Sequence, residues 1–263
     1  MRPSTFLVSS LAIFGAHAAP ALPKIDLKDV ADPAAALDAL STYFNLIASK
    51  VQTSKVRPVA PICDLSKAQM PAMAGLPPPS AGLIPHHVAV GRGTQNYTCD
   101  TSNPSSAPVA VGALATLYNV SCIAATNQDL LEKVPAMVVN FDYDAVTSTG
   151  SLGPMALPPI SGHHFFADST TPFFNLDTPT LDIGTVPTSK NNSAPAPPTA
   201  AKGPSGSSAV VWLKLLAKDG ATGGIKEVYR VDTAGGSAPA TCQGQPANIQ
   251  VQYSAVYWFW GSN

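Results

Sequence analysis

Between Gln250 and Phe259 the chain alternates with a period of two. Val251, Tyr253, Ala255, Tyr257 and Phe259 fall on one side, and Gln250, Gln252 and Ser254 on the other. Successive side chains of a strand point to opposite faces, whereas a helix would scatter these residues around its axis. This stretch therefore reads as a β-strand with one apolar face. Similar signals come from His87-Val88-Ala89-Val90 leading into Gln95–Cys99, from Val109–Cys122 with Ala115, Leu117 and Tyr118, and from Glu227–Val231. Val138-Val139 and His164-Phe165-Phe166 are shorter runs of the same kind. Ala209–Leu216 is nearly all apolar, as in a strand covered on both faces. Gly, Pro and Asn turns separate these segments. The predicted fold is mainly β, an antiparallel β-sandwich or barrel. An N-terminal amphipathic helix precedes it: Asp32-Pro33 supplies a helix start, and Leu37, Leu40, Phe44, Ile47 and Val51 recur at helical spacing.

Charge narrows the function. Only 12% of the 263 residues are charged, against roughly a quarter in an ordinary soluble domain. A net charge of -1 offers no basic stripe for phosphates, so a nucleic-acid partner is excluded. A long-helix or coiled-coil protein needs many more Glu, Lys and Arg. The hydrophobic share of 45% is ample for a core, which excludes disorder of the whole chain.

Residues 1–18 read as a secretory signal peptide. Arg2 is the basic start, Phe6–Gly15 the short apolar core, and Ala16-His17-Ala18 the cleavage site. No later apolar run is long enough to span a bilayer. The expected organisation is a signal peptide at 1–18, a helical arm at 19–60 and a β domain at 61–263, the last carrying a Pro/Ser-rich loop at 176–208. The expected location is extracellular or the cell wall.

An oxidising compartment makes two disulfides the natural reading of Cys63, Cys99, Cys122 and Cys242, which contain no C-x-x-C pair. If the strands holding Cys99 and Cys122 form a hairpin, these two cysteines lie at opposite ends of it and cannot bridge. That leaves Cys63–Cys122 with Cys99–Cys242, or Cys63–Cys99 with Cys122–Cys242. Asn96, Asn119 and Asn191 each open an N-x-S/T sequon, with Asn191 placed in the expected loop.

Several segments together resemble one family. These are Gly91-Arg92-Gly93-Thr94-Gln95-Asn96-Tyr97-Thr98-Cys99, Gly112–Tyr118, Gly162-His163-His164-Phe165-Phe166, Val211–Leu215, Val228–Gly236 and Tyr253–Phe259. The combination, covering roughly Cys63 to the C-terminus, is similar to the secreted fungal and bacterial family catalogued as domain of unknown function 3455. The resemblance implies secretion and a mostly β fold, with no established activity. In the bacterial relatives, the cysteines matching Cys99 and Cys242 are kept without the other two, which implies Cys99–Cys242 with Cys63–Cys122. Members are sometimes called malate-dehydrogenase-like. The residues do not support that label, because Gly91-Arg92-Gly93 lacks the third glycine of a dinucleotide fingerprint and opens no helix.

No catalytic constellation stands out: G-x-S-x-G and P-loop patterns are missing, and the catalytic residues stay unknown. The best candidates for chemistry are histidines. His87 and His164, with Asp168 as an oxygen ligand, would make an open two-histidine, one-carboxylate metal site. Both dipeptides, His86-His87 and His163-His164, also fit histidines that serve structure alone. Asp142 and Asp144 would share one face of an extended segment. Arg92, Arg230 and Asp232, scarce charges in this chain, are expected to be paired. Trp258 and Trp260 share the strand face opposite Tyr257, where they would form an exposed stacking patch for sugars. No cofactor other than a metal is expected. The favoured reading is a non-catalytic secreted β protein with cell-wall polysaccharide as its partner. The alternatives are a metal-dependent secreted enzyme using His87 and His164, and an effector that binds a host protein through the helix at Asp32–Val51.

Overall fold

The structure is a computed structural model that describes residues 63–73, 75–141, 143, 160–179 and 181–262. The expected signal peptide and the expected N-terminal helical arm, together with Asp142 and Asp144, lie outside the described residues. Eight strands form a closed barrel in which each pairs with its neighbour in sequence and the last pairs with the first. They are β1 (Ile84–Thr98), β2 (Val109–Asn119), β3 (Ile160–Asp168), β4 (Thr171–Asn175), β5 (Thr185–Ala194), β6 (Trp212–Ala217), β7 (Ile225–Gly235) and β8 (Asn248–Gly261). Every pairing is antiparallel. Closure leaves no strand edge open to another chain.

The alternation in β8 is the barrel's inside. Tyr253, Ala255, Tyr257 and Phe259 pack with Ala89, Leu117, Phe174, Val186, Leu215 and Val228 to fill it. Its middle is therefore a packed core. A second core lies outside the barrel wall. There Val88, Val90, Tyr118, Trp212, Tyr229, Val231, Val256 and Trp258 are covered by α1 (Ser121–Thr126), α2 (Gln128–Val138) and Leu76. β1, β6, β7 and β8 are thus covered on both faces along part of their length.

Two expectations are corrected. Val138-Val139 belongs to the end of α2, whose N-cap Asn127 accepts from the Leu130 N–H at 3.1 Å and whose apolar face is Leu130, Leu131, Val134 and Val138. The expected loop at 176–208 contains β5, which pairs with β4 and β6. β5 is rich in Ser, Thr and Asn because most of its outward side chains face water, while Val186 and Thr188 are buried.

The disulfides are Cys63–Cys122, which ties the chain before the barrel to α1, and Cys99–Cys242, which ties the end of β1 to the β7–β8 connection. β1 and β2 do form a hairpin, with Ala89 opposite Asn119 and Thr98 opposite Val109, so Cys99 and Cys122 sit at opposite ends. No helix among the described residues is long and apolar enough to cross a membrane.

Candidate functional site

The expected metal site of His87, His164 and Asp168 does not assemble. His87 is buried, with Nε2 2.8 Å from Ser161 Oγ and Nδ1 3.2 Å from Ser121 Oγ, so both ring nitrogens are occupied. His164 is buried inside the barrel. Its ring stacks on Phe174 at 4.3 Å, and its Nδ1 lies 2.9 Å from the Phe173 carbonyl, to which it donates. Burial holds both imidazoles well below their ordinary pKa, at about 4, so both are neutral at neutral pH. Asp168 is exposed at the β3–β4 turn, where its Oδ1 accepts from the Thr170 N–H and hydroxyl, both at 2.8 Å. It works as a turn residue, away from the imidazoles. Among the described residues no three His, Cys, Asp or Glu side chains converge as metal ligands.

The expected stacking patch is corrected too. Trp258 is wholly buried in the outer core beneath the helices, and Trp260 is half-buried with its ring 6.4 Å from that of Trp258. Alternation correctly puts them outside the barrel, but the helical layer covers that side. Of the sequon asparagines, Asn191 is exposed on β5, whereas Asn96 and Asn119 are half-buried and accept from the Thr94 hydroxyl and the Ser121 N–H.

A groove of about 550 Å³ lies at one end of β8. The β5–β6 connection supplies Ser205 and Ser207, the segment after β7 supplies Ser237, and Gln245, Gln250 and Gln252 complete it. None of its lining residues is ionisable. Hydroxyl and primary amide groups both donate and accept hydrogen bonds, which suits a neutral, hydroxyl-rich ligand. The volume lies within the usual range for small-molecule sites.

Across the same connection sits Asp232. The β7–β8 register shifts between Val231 and Ala234, and Asp232 adopts a left-handed φ of 48° within that bulge. Neither arginine pairs with it. Arg92 faces the outer core and Arg230 donates to the Val211 carbonyl at 3.0 Å and to Gln95. Among the described residues, Arg92, Arg230 and Asp232 do not pair with one another. Burial, then the nearby Glu132 carboxylate, pushes Asp232 up to about 7. A raised acid contributes stability that is complete below its unfolded value of 3.8 and is lost as pH rises through about 7. Asp232→Asn, which tolerates a left-handed backbone, is expected to be more stable than wild type by about 2 kcal/mol near pH 8, with no gain near pH 4. Denaturant unfolding at both pH values checks this.

The model of the family described as "Protein of unknown function (DUF3455)" matches residues 79–261. The chain belongs to this family. No curated protein and no solved structure matches it.

In this DUF3455 chain the Gly91-Arg92-Gly93 stretch runs through the middle of β1 and opens no helix. A Cβ on Gly93 would lie 1.8 Å from the Leu114 carbonyl oxygen, and one on Gly91 would lie 2.6 Å from the Tyr257 ring. The glycines therefore let β2 and the interior tyrosine come close. Arg92 points outward between them and donates to the Val138 and Phe141 carbonyls, at 3.1 and 3.2 Å, at the end of α2. A buried cation there suits the negative end of the helix dipole. The motif is a brace between barrel and helix.

No sequence signal marks the serines and glutamines of the groove as one site, because they come from three separate segments with no common spacing. Asp232 carried a readable signal: an acidic residue interrupting an apolar strand run just before Gly235-Gly236 marks a bulge.

Proposed function

We propose that this is a secreted, wall- or surface-associated binding protein, and that the neutral groove beside β8 docks a polysaccharide strand. The observation that carries the reading is the groove itself, a concavity of about 550 Å³ with hydroxyl and amide groups and no ionisable lining residue. The apparent signal peptide, the exposed Asn191 sequon and the two disulfides support the extracellular setting. The metal-enzyme alternative loses support, because both nitrogens of His87 are engaged and Asp168 faces solvent elsewhere. The effector alternative rests on the helix at Asp32–Val51, outside the described residues.

The protein is expected to be retained on insoluble chitin or β-glucan. Gln245→Ala with Gln250→Ala should weaken retention about 10-fold, as two hydrogen bonds of about 0.5–1.5 kcal/mol each are lost. A wild-type protein that stays in the supernatant with both polymers would overturn the reading.

A further inference from the structure

The fold gives the three N-x-S/T acceptors, Asn96, Asn119 and Asn191, different surroundings. Asn96 lies on β1 between two paired strands, opposite Gly112 of β2 and Gln250 of β8, and is half-buried. Asn119 ends β2 opposite Ala89 and is half-buried too. Its Oδ1 accepts from the Ser121 N–H at 3.0 Å, where the chain turns into α1. Ser121, the hydroxyl residue of that sequon, is itself tied in. Its Oγ accepts from the Val88 N–H at 3.1 Å and lies 3.2 Å from His87 Nδ1. A bulky group on either half-buried amide has to force its way into close-packed surroundings.

Asn191 differs in each respect. It is exposed, and so is Ser193, the hydroxyl residue of its sequon. The β5–β6 register shifts at this point. Lys190 stands opposite Leu215 and Asn192 opposite Lys214, which leaves Asn191 as the extra residue of a bulge. On the other side, β4 pairs with β5 only over Thr185–Pro187. Neither register gives Asn191 a cross-strand partner. A large, water-soluble group can project from this position without displacing a neighbouring strand or an apolar contact.

We infer that Asn191 carries an N-linked oligosaccharide in the secreted protein, and that Asn96 and Asn119 stay unmodified. The inference rests on the secretory reading above and is independent of what the groove binds. The donor is a lipid-linked oligosaccharide diphosphate. Asn191 Nδ2 bonds to the anomeric carbon of the sugar and gives up one proton. The bond from that carbon to the diphosphate oxygen breaks, and the diphosphate leaves with the electron pair. Nothing is oxidised or reduced. Transfer precedes folding, so the barrel does not choose which asparagine is reached. It selects among modified chains, admitting a glycan at Asn191 and hindering closure with one at Asn96 or Asn119.

The test is production of the chain in a eukaryotic secretion host, once with its own residues 1–18 and once with these replaced by a host leader. Cell-associated and medium fractions are both assayed, by electrophoretic mobility before and after a glycan-releasing amidase and by mass spectrometry of the three sequon peptides. One glycan per chain is expected, on the Asn191 peptide. Asn191→Gln and Ser193→Ala should each abolish the mobility shift, the second with the asparagine still present. Both variants should unfold cooperatively, at the Tm of enzymatically deglycosylated wild type. A chain with the host leader that lacks a glycan at Asn191 would overturn the inference. A glycan at Asn96 or Asn119 in protein that unfolds cooperatively would overturn it as well. A glycan at Asn191 with the host leader, and none with the chain's own residues 1–18, would support the acceptor and overturn the secretory reading instead.

Discussion

Taking the protein from pH 7 to pH 4 is expected to cost up to about 7 kcal/mol of folding stability, enough to unfold a domain whose total is about 5–15 kcal/mol. The cause is the pair of buried imidazoles. His87 and His164 are each held at about 4 in the fold, against 6.5 when exposed. Each therefore contributes stability that is complete above 6.5 and lost as pH falls toward 4. In that window the unfolded chain takes up protons that the folded one refuses, and this drives unfolding. Each depression spans about 2.5 units at about 1.4 kcal/mol per unit, which sets the ceiling for the two. Neither ring has a carboxylate beside it to welcome a charge: His87 meets two serine hydroxyls, and His164 meets Phe174 and the Phe173 carbonyl. Asp232 acts in the opposite sense over an overlapping range, so Asp232→Asn should make the acid loss steeper. Denaturant midpoints at half-unit steps of pH would show it. A flat profile from pH 7 to pH 4.5 would mean that neither ring is kept neutral by burial.

These histidines show what the sequence does and does not contain. Imidazoles beside aromatic residues in strands carry the same letters whether they bind metal or pack in a core. The difference lies in what stands opposite, and for His164 that is Phe174, brought there by the β3–β4 pairing. The β8 strand was legible because its alternation is a physical consequence of having one face inside a barrel. Closure was not legible: alternation within a strand serves a sandwich equally well, and only the pairing of β1 with β8 separates the two. β5 was hidden by its exposed outer face, which lets it be polar. The helices α1 and α2 were hidden by their shortness, and α2 also by Pro135, a residue that argues against helix wherever it falls inside one.

The candidate sites were less legible than the fold. Alternation correctly put Trp258 and Trp260 outside the barrel, but could not reveal that α2 and Leu76 lie on top of that surface. The outer core is a layer of non-local contacts, and no periodicity within β8 records it. Asp232 was read as half of an ion pair because charges are scarce here, and scarce buried charges usually find each other. It sits instead in the β7 bulge, where it lines a concavity between α2 and the barrel wall. Strand parity predicts facing only while the register holds, and it fails at the positions where bulges redirect a side chain.

A buried ion pair joins Lys214 and Glu227, and Glu227→Ala is expected to destabilise the protein by about 3–5 kcal/mol. Their charged atoms lie 3.1 Å apart, and both side chains are nearly inaccessible, 6% and 4% exposed. Glu227 also accepts from the Ser80 N–H at 3.2 Å, the Ser80 hydroxyl at 2.6 Å and the Tyr229 hydroxyl at 3.3 Å. Lys214 donates to the Pro78 carbonyl at 2.9 Å and lies over the Tyr229 ring. The pair thus fastens the Pro77–Ser80 segment across the outside of β6 and β7. Removing the carboxylate leaves a buried ammonium whose main charge partner is gone, and it releases Ser80 as well. The cost comes mostly from that stranded charge rather than from the net worth of the pair, since desolvating two ions nearly cancels their attraction. Lys214→Met combined with Glu227→Leu should therefore recover most of the loss, falling within about 1 kcal/mol of wild type. Denaturant unfolding of Lys214→Met, Glu227→Leu and the double gives the coupling directly. Hydrogen exchange at the Ser80 amide supplies a local readout, and it should quicken in Glu227→Ala. A single-variant cost under about 1 kcal/mol would place Lys214 in contact with water, as expected of a surface pair, and would remove the reason for regarding the segment as fastened by charge.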